Sequence, residues 1–328
     1  MKVLVTGATG FIGRHVLDRL LKHGHEYIAI ARHEGDLPKG VSFLQGDIAD
    51  RATVTGKLDK VEGVVHLAAR EDILMERGDR FGDRMFESNV IGTQNLLESL
   101  KRKQIQRVVV ITSCTVNGYF SDGRLAKETN RFNMTRLESP YIWSRYQTEK
   151  LCLEFAAESW PLVLVEPTFV IGPGDARPNF PGKMILEFLQ GKVKVVPQGG
   201  SNWISVRDVS RGIVHLLETT PKHVRYLFGD QNMTFREFYN LVAQAAGLDV
   251  PKLHLPRELA KATGSLADWL LGVYGQRPGV PLKNMAKISG EFFYFDCSRA
   301  NEEGCYDGGN VTIAIKEAVE WFRSQGRI

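Results

Sequence analysis

The chain has few cysteines, and their spacing carries no ligand pattern. Cys114, Cys152, Cys297 and Cys305 are scattered along 328 residues, with no C-x-x-C pair. This usage argues against a disulfide framework and against a zinc site, and it is typical of a reducing compartment. We therefore expect a cytoplasmic protein without a bound metal.

Long apolar runs and an excess of charge are also lacking. The longest apolar runs, such as Val108–Ile111 and Leu162–Val165, have the length of strands, whereas a membrane span needs about 18 residues. The first apolar segment begins at residue 3 and leads straight into glycines, so we expect no secretory signal. A net charge of +4 with dispersed basic residues predicts no nucleic-acid partner. We expect no membrane contact either.

The amino terminus combines a strand, a glycine turn and a helix. Val3–Thr6 is apolar, glycines follow at G-x-x-G-x-x-G spacing, and the amphipathic stretch Arg14–His23 ends at Gly24. A tight turn, a closely approaching backbone and a helix N-terminus together suit the pyrophosphate of a dinucleotide. The residues expected to bind it are Gly7, Thr9, Gly10, Phe11, Ile12 and Gly13.

Short strands alternate with helices through the first half of the chain, which predicts a parallel sheet covered by helices on both faces. The strands are expected at 3–6, 27–31, 42–45, 63–67, 107–112 and 161–166, and the helices near 12–23, 50–58, 83–103 and 140–158. After Pro167 glycine and proline become dense and this order is lost. The predicted class is an α/β fold, a Rossmann-type doubly wound parallel sheet with a smaller C-terminal substrate lobe.

Two domains follow from this pattern. Residues 1–166, with returning segments near 204–228 and 293–300, are expected to form the NAD(P)-binding domain. Residues 167–203, 229–292 and 301–328 are expected to form the substrate lobe. Ligands of such folds bind at the carboxyl ends of the parallel strands, so we expect a cleft between the two lobes.

The end of the second strand favours NADP(H). NAD-specific sites usually place an acid there for the ribose 2′-hydroxyl, and this chain has Ala31 followed by Arg32. A guanidinium suits a 2′-phosphate. A solvated surface arginine is the alternative, so NAD(H) stays open.

Several motifs together resemble the extended short-chain dehydrogenases/reductases, the superfamily of NAD(P)-dependent epimerases and dehydratases. Besides the glycine turn they are Gly46–Ile48, His66–Ala69, Asn89–Leu97, Pro140-Tyr141 and Gly172–Asp175. The resemblance spans the chain and is nearest to the dihydroflavonol-reductase and 3β-hydroxysteroid-dehydrogenase-like branch. It implies a small-molecule substrate and a homodimer that pairs through the helices containing Asn89 and Tyr141.

The resemblance also implies cofactor contacts. Asp47 would contact adenine with the Ile48 backbone beside it, and Asn89 would support the active site. The remaining contacts would come from Leu67, Ala68 and Ala69 at the end of the fourth strand, and from Pro167 and Val170 near the nicotinamide.

Hydride transfer at a carbonyl carbon needs a proton donor or acceptor at the oxygen, and a tyrosine serves when a nearby cation lowers its pKa. The resemblance places Ser113 at the catalytic Ser/Thr position, with Thr112 and Thr115 as alternative hydroxyls. Two frames fit the family's Tyr-x-x-x-Lys pair. Tyr146 and Lys150 have the two residue types of the motif at the right spacing. Tyr141 and Arg145 instead have the neighbouring residues that accompany the motif in the family, including Pro140.

Only one of the two tyrosines can face the cofactor, because five helical residues turn the side chain by about 140° net. We choose Tyr141 as the general acid/base with Arg145 in the lysine's place. Arginine supplies the positive charge but does not deprotonate in proteins. Glu166 departs from the family too, since an arginine usually precedes that proline.

Three functions remain open. The first is NADP(H)-dependent reduction of a carbonyl, or oxidation of a secondary alcohol. The second is a nucleotide-sugar epimerase or dehydratase with tightly held NAD(P), which Ser201 disfavours because sugar-nucleotide members typically have arginine there. The third is a catalytically silent NAD(P)-binding protein, which Arg145 and Glu166 suggest. Aromatic residues at 292–295 suit an apolar substrate, although we expect most of them to pack in the core.

Overall fold

The computed structural model describes residues 1–34, 37, 42–54, 58, 60–71, 79–101, 103–135, 139–251, 254–255 and 289–328. Sequence-based expectations fall partly outside these ranges at the end of the helix near 50–58 and in the substrate-lobe segment 229–292.

Strands and helices are numbered in chain order over the described residues. The strands are β1 (Lys2–Thr6), β2 (Glu26–Ala31), β3 (Ser42–Gln45), β4 (Gly63–His66), β5 (Arg107–Ile111), β6 (Leu162–Pro167), β7 (Phe169–Ile171), β8 (Val196–Pro197), β9 (Gly200–Ser205), β10 (Arg225–Phe228), β11 (Gln231–Thr234), β12 (His254–Leu255) and β13 (Phe292–Phe293). The α-helices are α1 (Phe11–Lys22), α2 (Arg51–Val54), α3 (Asp79–Phe86), α4 (Gly92–Leu100), α5 (Pro140–Ala157), α6 (Phe180–Leu189), α7 (Val206–Glu218), α8 (Phe235–Ala246), α9 (Ser298–Glu302) and α10 (Val311–Ser324).

The main sheet has seven strands in the order β10-β6-β5-β4-β1-β2-β3, and every pair is parallel. Its central strands are buried on both faces, as the runs of valine, leucine and isoleucine predict. The strand order reverses between β1 and β4, where open α/β sheets bind their ligands. The predicted fold class is confirmed.

A smaller sheet follows the main one. In it β9 pairs with β11, β13 and β7, whereas β8 and β12 form a separate two-stranded sheet. The returning segments predicted from the sequence divide between the layers. α7 packs against α1, and β10 joins the main sheet. The segment near 293–300 splits, because β13 pairs with β9 while α9 packs beside β10.

The helix that carries Asn89 is not regular. A π-helical turn, Glu87–Ile91, separates α3 from α4 and holds Asn89 in a buried position. Such turns are often found at functional sites. α5 starts with Ser139 as its N-cap and Pro140 in its first turn, which fixes where Tyr141 enters the fold. None of the helices in the described ranges is both long and apolar enough to cross a membrane.

A buried charged cluster joins α5, β6 and β10 behind the site. Nε of Arg225 donates to Glu166 at 2.7 Å, and Nη2 donates to Oδ1 of Asn117 at 2.6 Å. Glu166 is fully buried, and Glu149 Oε1 lies 2.6 Å from the same guanidinium. Burial raises the pKa of Glu149 to about 8; the Glu166 carboxylate adds to this shift, and Arg225 opposes it. The unexpected Glu166 is therefore half of a buried pair, and its arginine comes from β10.

Replacing Arg225 by methionine should leave Glu166 uncompensated inside the protein. We expect the free energy of unfolding to fall by about 3–5 kcal/mol, measured by urea denaturation near pH 8. Burial also raises the pKa of Glu166. Protonation of this carboxylate removes the unpaired charge, so the loss of unfolding free energy caused by the substitution should become smaller as the pH falls.

The control variant is Arg211→Met. Arg211 pairs with Asp307, whose side chain is 80% exposed, and exposed pairs contribute about 0–1 kcal/mol. Equal loss of stability in the two variants would contradict a special role for the buried pair.

Candidate active site

The glycine turn brings the ends of β1 and β4 into contact. Gly7 has φ +69°, and a Cβ added there would lie 2.6 Å from the backbone nitrogen of Ala68. A Cβ at Gly13 would lie 2.2 Å from the carbonyl oxygen of Gly7. Larger residues would clash with backbone at both positions, so the close approach requires glycine.

The start of α1 is left open to an anion. Gly10 is the N-cap and offers no side-chain acceptor, and the first turn has no acidic residue. The unpaired N–H groups and the helix dipole favour negative charge at this point. The turn therefore fits the pyrophosphate of a dinucleotide. Thr9, Phe11 and Ile12 are half-buried beside it.

The predicted adenosine contacts lie at the end of β2 and after β3. Asp47 is half-buried, and its Oδ1 accepts from the backbone N–H of Ala49 at 3.0 Å. Asn95 Nδ2 donates to the carbonyl oxygens of Ile48 and Ala49 at 3.3 and 2.9 Å, which ties this turn to α4. The side chain of Arg32 is exposed at the end of β2.

A buried chain of hydrogen bonds connects the glycine turn to Asn89. The Thr93 hydroxyl donates to the carbonyl oxygen of Asn89 (2.6 Å), so Nε2 of His66 must donate to Thr93 Oγ1 (2.8 Å). In a neutral imidazole Nδ1 then accepts from the Thr6 hydroxyl (2.6 Å), whose oxygen also accepts from the Ala68 N–H (3.2 Å). Burial lowers the pKa of His66 to about 3, and Arg145 adds to the shift. His66 is therefore neutral and has one defined tautomer.

Asn89 connects the end of β4 to α5. Its Oδ1 accepts from the Arg70 N–H at 2.7 Å, and its Nδ2 donates to the Arg70 carbonyl at 3.1 Å and to Ser144 Oγ at 2.9 Å. The Thr148 hydroxyl donates to the Asn89 carbonyl at 3.0 Å. Ser144 and Thr148 flank Arg145 on α5, so this network fixes the rotation of the helix that presents Tyr141.

Tyr141, Arg145 and Ser113 meet at the carboxyl end of β5. The Arg145 guanidinium carbon lies 5.3 Å from the centre of the Tyr141 ring. Ser113 starts a 3₁₀ turn, Cys114–Asn117, and accepts from the backbone N–H and the hydroxyl of Thr115 at 3.3 and 3.1 Å. Burial raises the pKa of Tyr141, whereas the charge of Arg145 and hydrogen bonds from Ser113 and Arg145 lower it.

Tyr146 and Lys150 lie elsewhere on α5. The Tyr146 ring stacks on Phe132 with centroids 4.2 Å apart, and Trp143 lies 5.8 Å away. Lys150 is exposed, and its ammonium lies 5.9 Å from the Tyr146 ring. The structure thus brings Tyr141, and not Tyr146, beside Ser113.

Arg145 is almost fully buried and has incomplete hydrogen bonding. Nη1 donates to the Ile111 carbonyl at 3.2 Å and Nη2 to Glu71 at 3.2 Å, whereas Nε has no partner in the described structure. The hydroxyl of Thr112 is also buried without a partner there. Unsatisfied buried polar atoms are unusual. The place of the Arg145 guanidinium beside Tyr141 fits the hydroxyl groups of a cofactor ribose.

The acidic Asp175 lies near the same point after β7. Its Oδ2 accepts from the Asn179 N–H at 2.9 Å, where α6 begins. Burial raises the pKa of Asp175 to about 7, and Glu71 adds to the shift. Pro167 and Val170 are buried around the end of β6, and Leu67 and Ala69 are half-buried after β4.

Some residues of this site carry no sequence signal. Glu71 is 74 residues from Arg145 and Arg225 is 59 from Glu166, and no motif links either pair. Only the strand order could have suggested these two pairs, because it sets β10 beside β6 and places the segments after β4 and β5 side by side. Phe293 and Phe295 are buried in an apolar cluster with Tyr119 and Tyr141, so these aromatic residues are core.

Comparison with known proteins identifies the class. Residues 3–228 match the model of the NAD dependent epimerase/dehydratase family, and the chain belongs to this family. It is an NAD(P)-dependent enzyme of the extended short-chain dehydrogenase/reductase type, an oxidoreductase or epimerase. The resemblance seen in the sequence is confirmed.

Two relatives and one solved structure illustrate the similarity. A Synechocystis protein provisionally named dihydroflavonol 4-reductase is 29% identical, with 99% of this chain and 95% of that protein covered. A Mycobacterium tuberculosis 3 beta-hydroxysteroid dehydrogenase/Delta 5-->4-isomerase is 25% identical over 90% of this chain and 82% of its own. The crystal structure of gox2253 superposes with a TM-score of 0.85 at 27% identity, covering 99% of both chains.

Proposed function

We propose that this protein is an NADP(H)-dependent oxidoreductase that reduces a carbonyl group of a small organic molecule, or oxidises the corresponding secondary alcohol. The observation that carries the proposal is the meeting of Tyr141, Ser113 and Arg145 at the carboxyl end of β5. The relatives named for a flavonoid reductase and a steroid dehydrogenase support it.

Three side chains divide the work in this mechanism. A bound reduced nicotinamide would supply a hydride to the carbonyl carbon. Ser113 holds the carbonyl oxygen, and Tyr141 gives its hydroxyl proton to that oxygen and later regains one from solvent. Arg145 supplies positive charge beside the phenol and donors for the cofactor ribose. In alcohol oxidation Tyr141 accepts the proton of the substrate hydroxyl, and the hydride would pass from the substrate carbon to the oxidised nicotinamide.

Replacing Tyr141 by phenylalanine tests the choice of tyrosine. We expect turnover of NADPH with apolar ketones and aldehydes to fall by about 10²–10⁴, because only the proton donor is removed. Cofactor binding, followed by NADPH fluorescence, should persist. Tyr146→Phe is the matched control, since it removes the same atom five residues along α5, and it should retain activity within a few fold.

Other outcomes would favour the other functions. Loss of activity in Tyr146→Phe alone would identify Tyr146 and Lys150 as the catalytic pair. NADPH binding without any turnover would indicate the silent binder. Oxidised cofactor retained through purification would favour the epimerase.

We propose that Arg32 selects the phosphorylated cofactor. It is exposed at the end of β2, after the half-buried Ala31 where NAD-binding sites usually carry an acid. Arg32→Ala should weaken NADPH binding by roughly 10–100-fold, which is the loss of a hydrogen bond to a charged group, and leave NADH binding unchanged. The measurement is a fluorescence titration with both cofactors, and His33→Ala is the neighbouring control. Equal weakening for both cofactors would argue against phosphate recognition.

We also propose a homodimer that pairs through α5 and the helices before α4. Large apolar side chains are exposed on these neighbouring elements, namely Phe86, Ile91 and Trp143. Exposed apolar side chains grouped on neighbouring elements are typical of a protein–protein interface. Trp143→Lys should shift the protein toward monomer in sedimentation equilibrium, whereas Ile313→Lys, which alters an exposed apolar residue on α10, should not. A monomeric unaltered protein would exclude the dimer.

A further inference from the structure

We propose that Glu71 is a positioning residue that sets the proton affinity of Tyr141 by neutralising Arg145, and that it thereby adapts the site to reduction over oxidation. The inference rests on the proposed function, because it assigns Tyr141 the proton transfer. It concerns the feature that separates this chain from its family, the arginine in the place of the lysine.

The contacts of Arg145 identify its counter-ion. Its side chain is 3% exposed, and a buried guanidinium is costly unless a carboxylate faces it. Glu71 Oε1 lies 3.2 Å from Nη2. Glu149, one helical turn further along α5, already faces Arg225 at 2.6 Å. Glu71 is thus the carboxylate bound to Arg145 in the described structure.

The other groups around the tyrosine do not replace this charge. From β4 comes His66, which is neutral, and after β5 come the hydroxyls of Ser113 and Thr115 and the protonated thiol of Cys114, whose pKa burial raises to about 12. After β7 comes Asp175, which interacts with Glu71. Arg145 is the cation that acts on Tyr141, and Glu71 opposes it.

The consequence concerns which protonation state of Tyr141 is populated. An unopposed cation beside a phenol stabilises the phenolate, which is the base needed for alcohol oxidation. Here a carboxylate offsets the cation, and burial also disfavours the phenolate. Tyr141 therefore keeps its proton at neutral pH and is ready to donate it to a carbonyl oxygen. Reduction should hold steady up to the pKa of Tyr141 and decline above it, while oxidation should rise with pH.

The decisive variant is Glu71→Gln, which keeps the shape of the side chain and removes its charge. In the cofactor-free protein, carbon-13 NMR of ring-labelled tyrosine follows the Tyr141 titration, with the signal assigned by Tyr141→Phe. We expect its midpoint to fall by on the order of half a pH unit, since Glu71 is half-exposed and its charge is partly screened by solvent and salt. Oxidation at neutral pH should then gain about threefold in kcat/KM, because activity on that limb follows the phenolate fraction.

Two controls separate this effect from a general one. Glu158→Gln removes an exposed carboxylate that pairs with Lys101 at 3.2 Å at the far end of α5, and it should leave the midpoint unchanged. Glu71→Asp keeps the charge and should restore most of the original midpoint. Added salt should lower the midpoint in the unaltered protein by screening Glu71, a test that requires no variant to fold.

The two proposals can fail separately. An unchanged Tyr141 midpoint in Glu71→Gln, with turnover that still depends on Tyr141, would overturn the role of Glu71 and leave the proposed function intact. A lowered midpoint in a protein without turnover would support the role of Glu71 and overturn the proposed function.

Discussion

The contact between the ends of β1 and β4 is the constraint on which both halves of the site depend. Gly7 touches the backbone of Leu67 and Ala68 so closely that no Cβ fits, and the Thr6 hydroxyl joins the two strands through His66. On one side this contact shapes the glycine turn. On the other side the hydrogen bonds continue through Thr93 and Asn89 to α5. The hydrogen bonds from Thr6 to Ser144 are buried, so they link the position of the glycine turn to the rotation of the helix that presents Tyr141.

The two charged residues that depart from the family's expected pattern each have an oppositely charged partner in the structure. Glu166 stands where an arginine is usual, and β10 provides Arg225 against it. Arg145 stands where a lysine is usual, and the segment after β4 provides Glu71. Buried charges need such compensation, because an isolated one costs several kcal/mol. The two pairs differ in one respect. Glu166 is sealed in the interior and serves structure, whereas Glu71 is half-exposed beside the tyrosine.

The sequence was sufficient to predict the fold class and the family. For the site, it predicted candidate residues at the fixed motif positions. The alternation of strands and helices predicted the parallel sheet, because the period of a buried strand differs from that of a helix. The glycines predicted the turn since only they permit the close approach at Gly7. Choosing between Tyr141 and Tyr146 needed the surroundings of each, and the stacking of Tyr146 on Phe132 could not be read from spacing. Glu71 and Arg225 were beyond sequence reasoning, since each meets its partner only through the strand order.

The smaller sheet constrains the substrate. Thr168 donates to Asn202 at 2.9 Å, and Asn202 donates to Asn232 at 3.0 Å, so the end of β6 is tied to β9 and β11. Ser201 lies within this junction, fully buried and paired with neighbours on both sides. Serine carries no charge, so Ser201 supplies no cation to a diphosphate, which needs charged donors to replace its hydration. Beside Tyr141 the Glu71 carboxylate offsets the positive charge of Arg145. A substrate that carries no phosphate suits this electrostatic arrangement, which is the reason for preferring a neutral carbonyl compound over a nucleotide sugar.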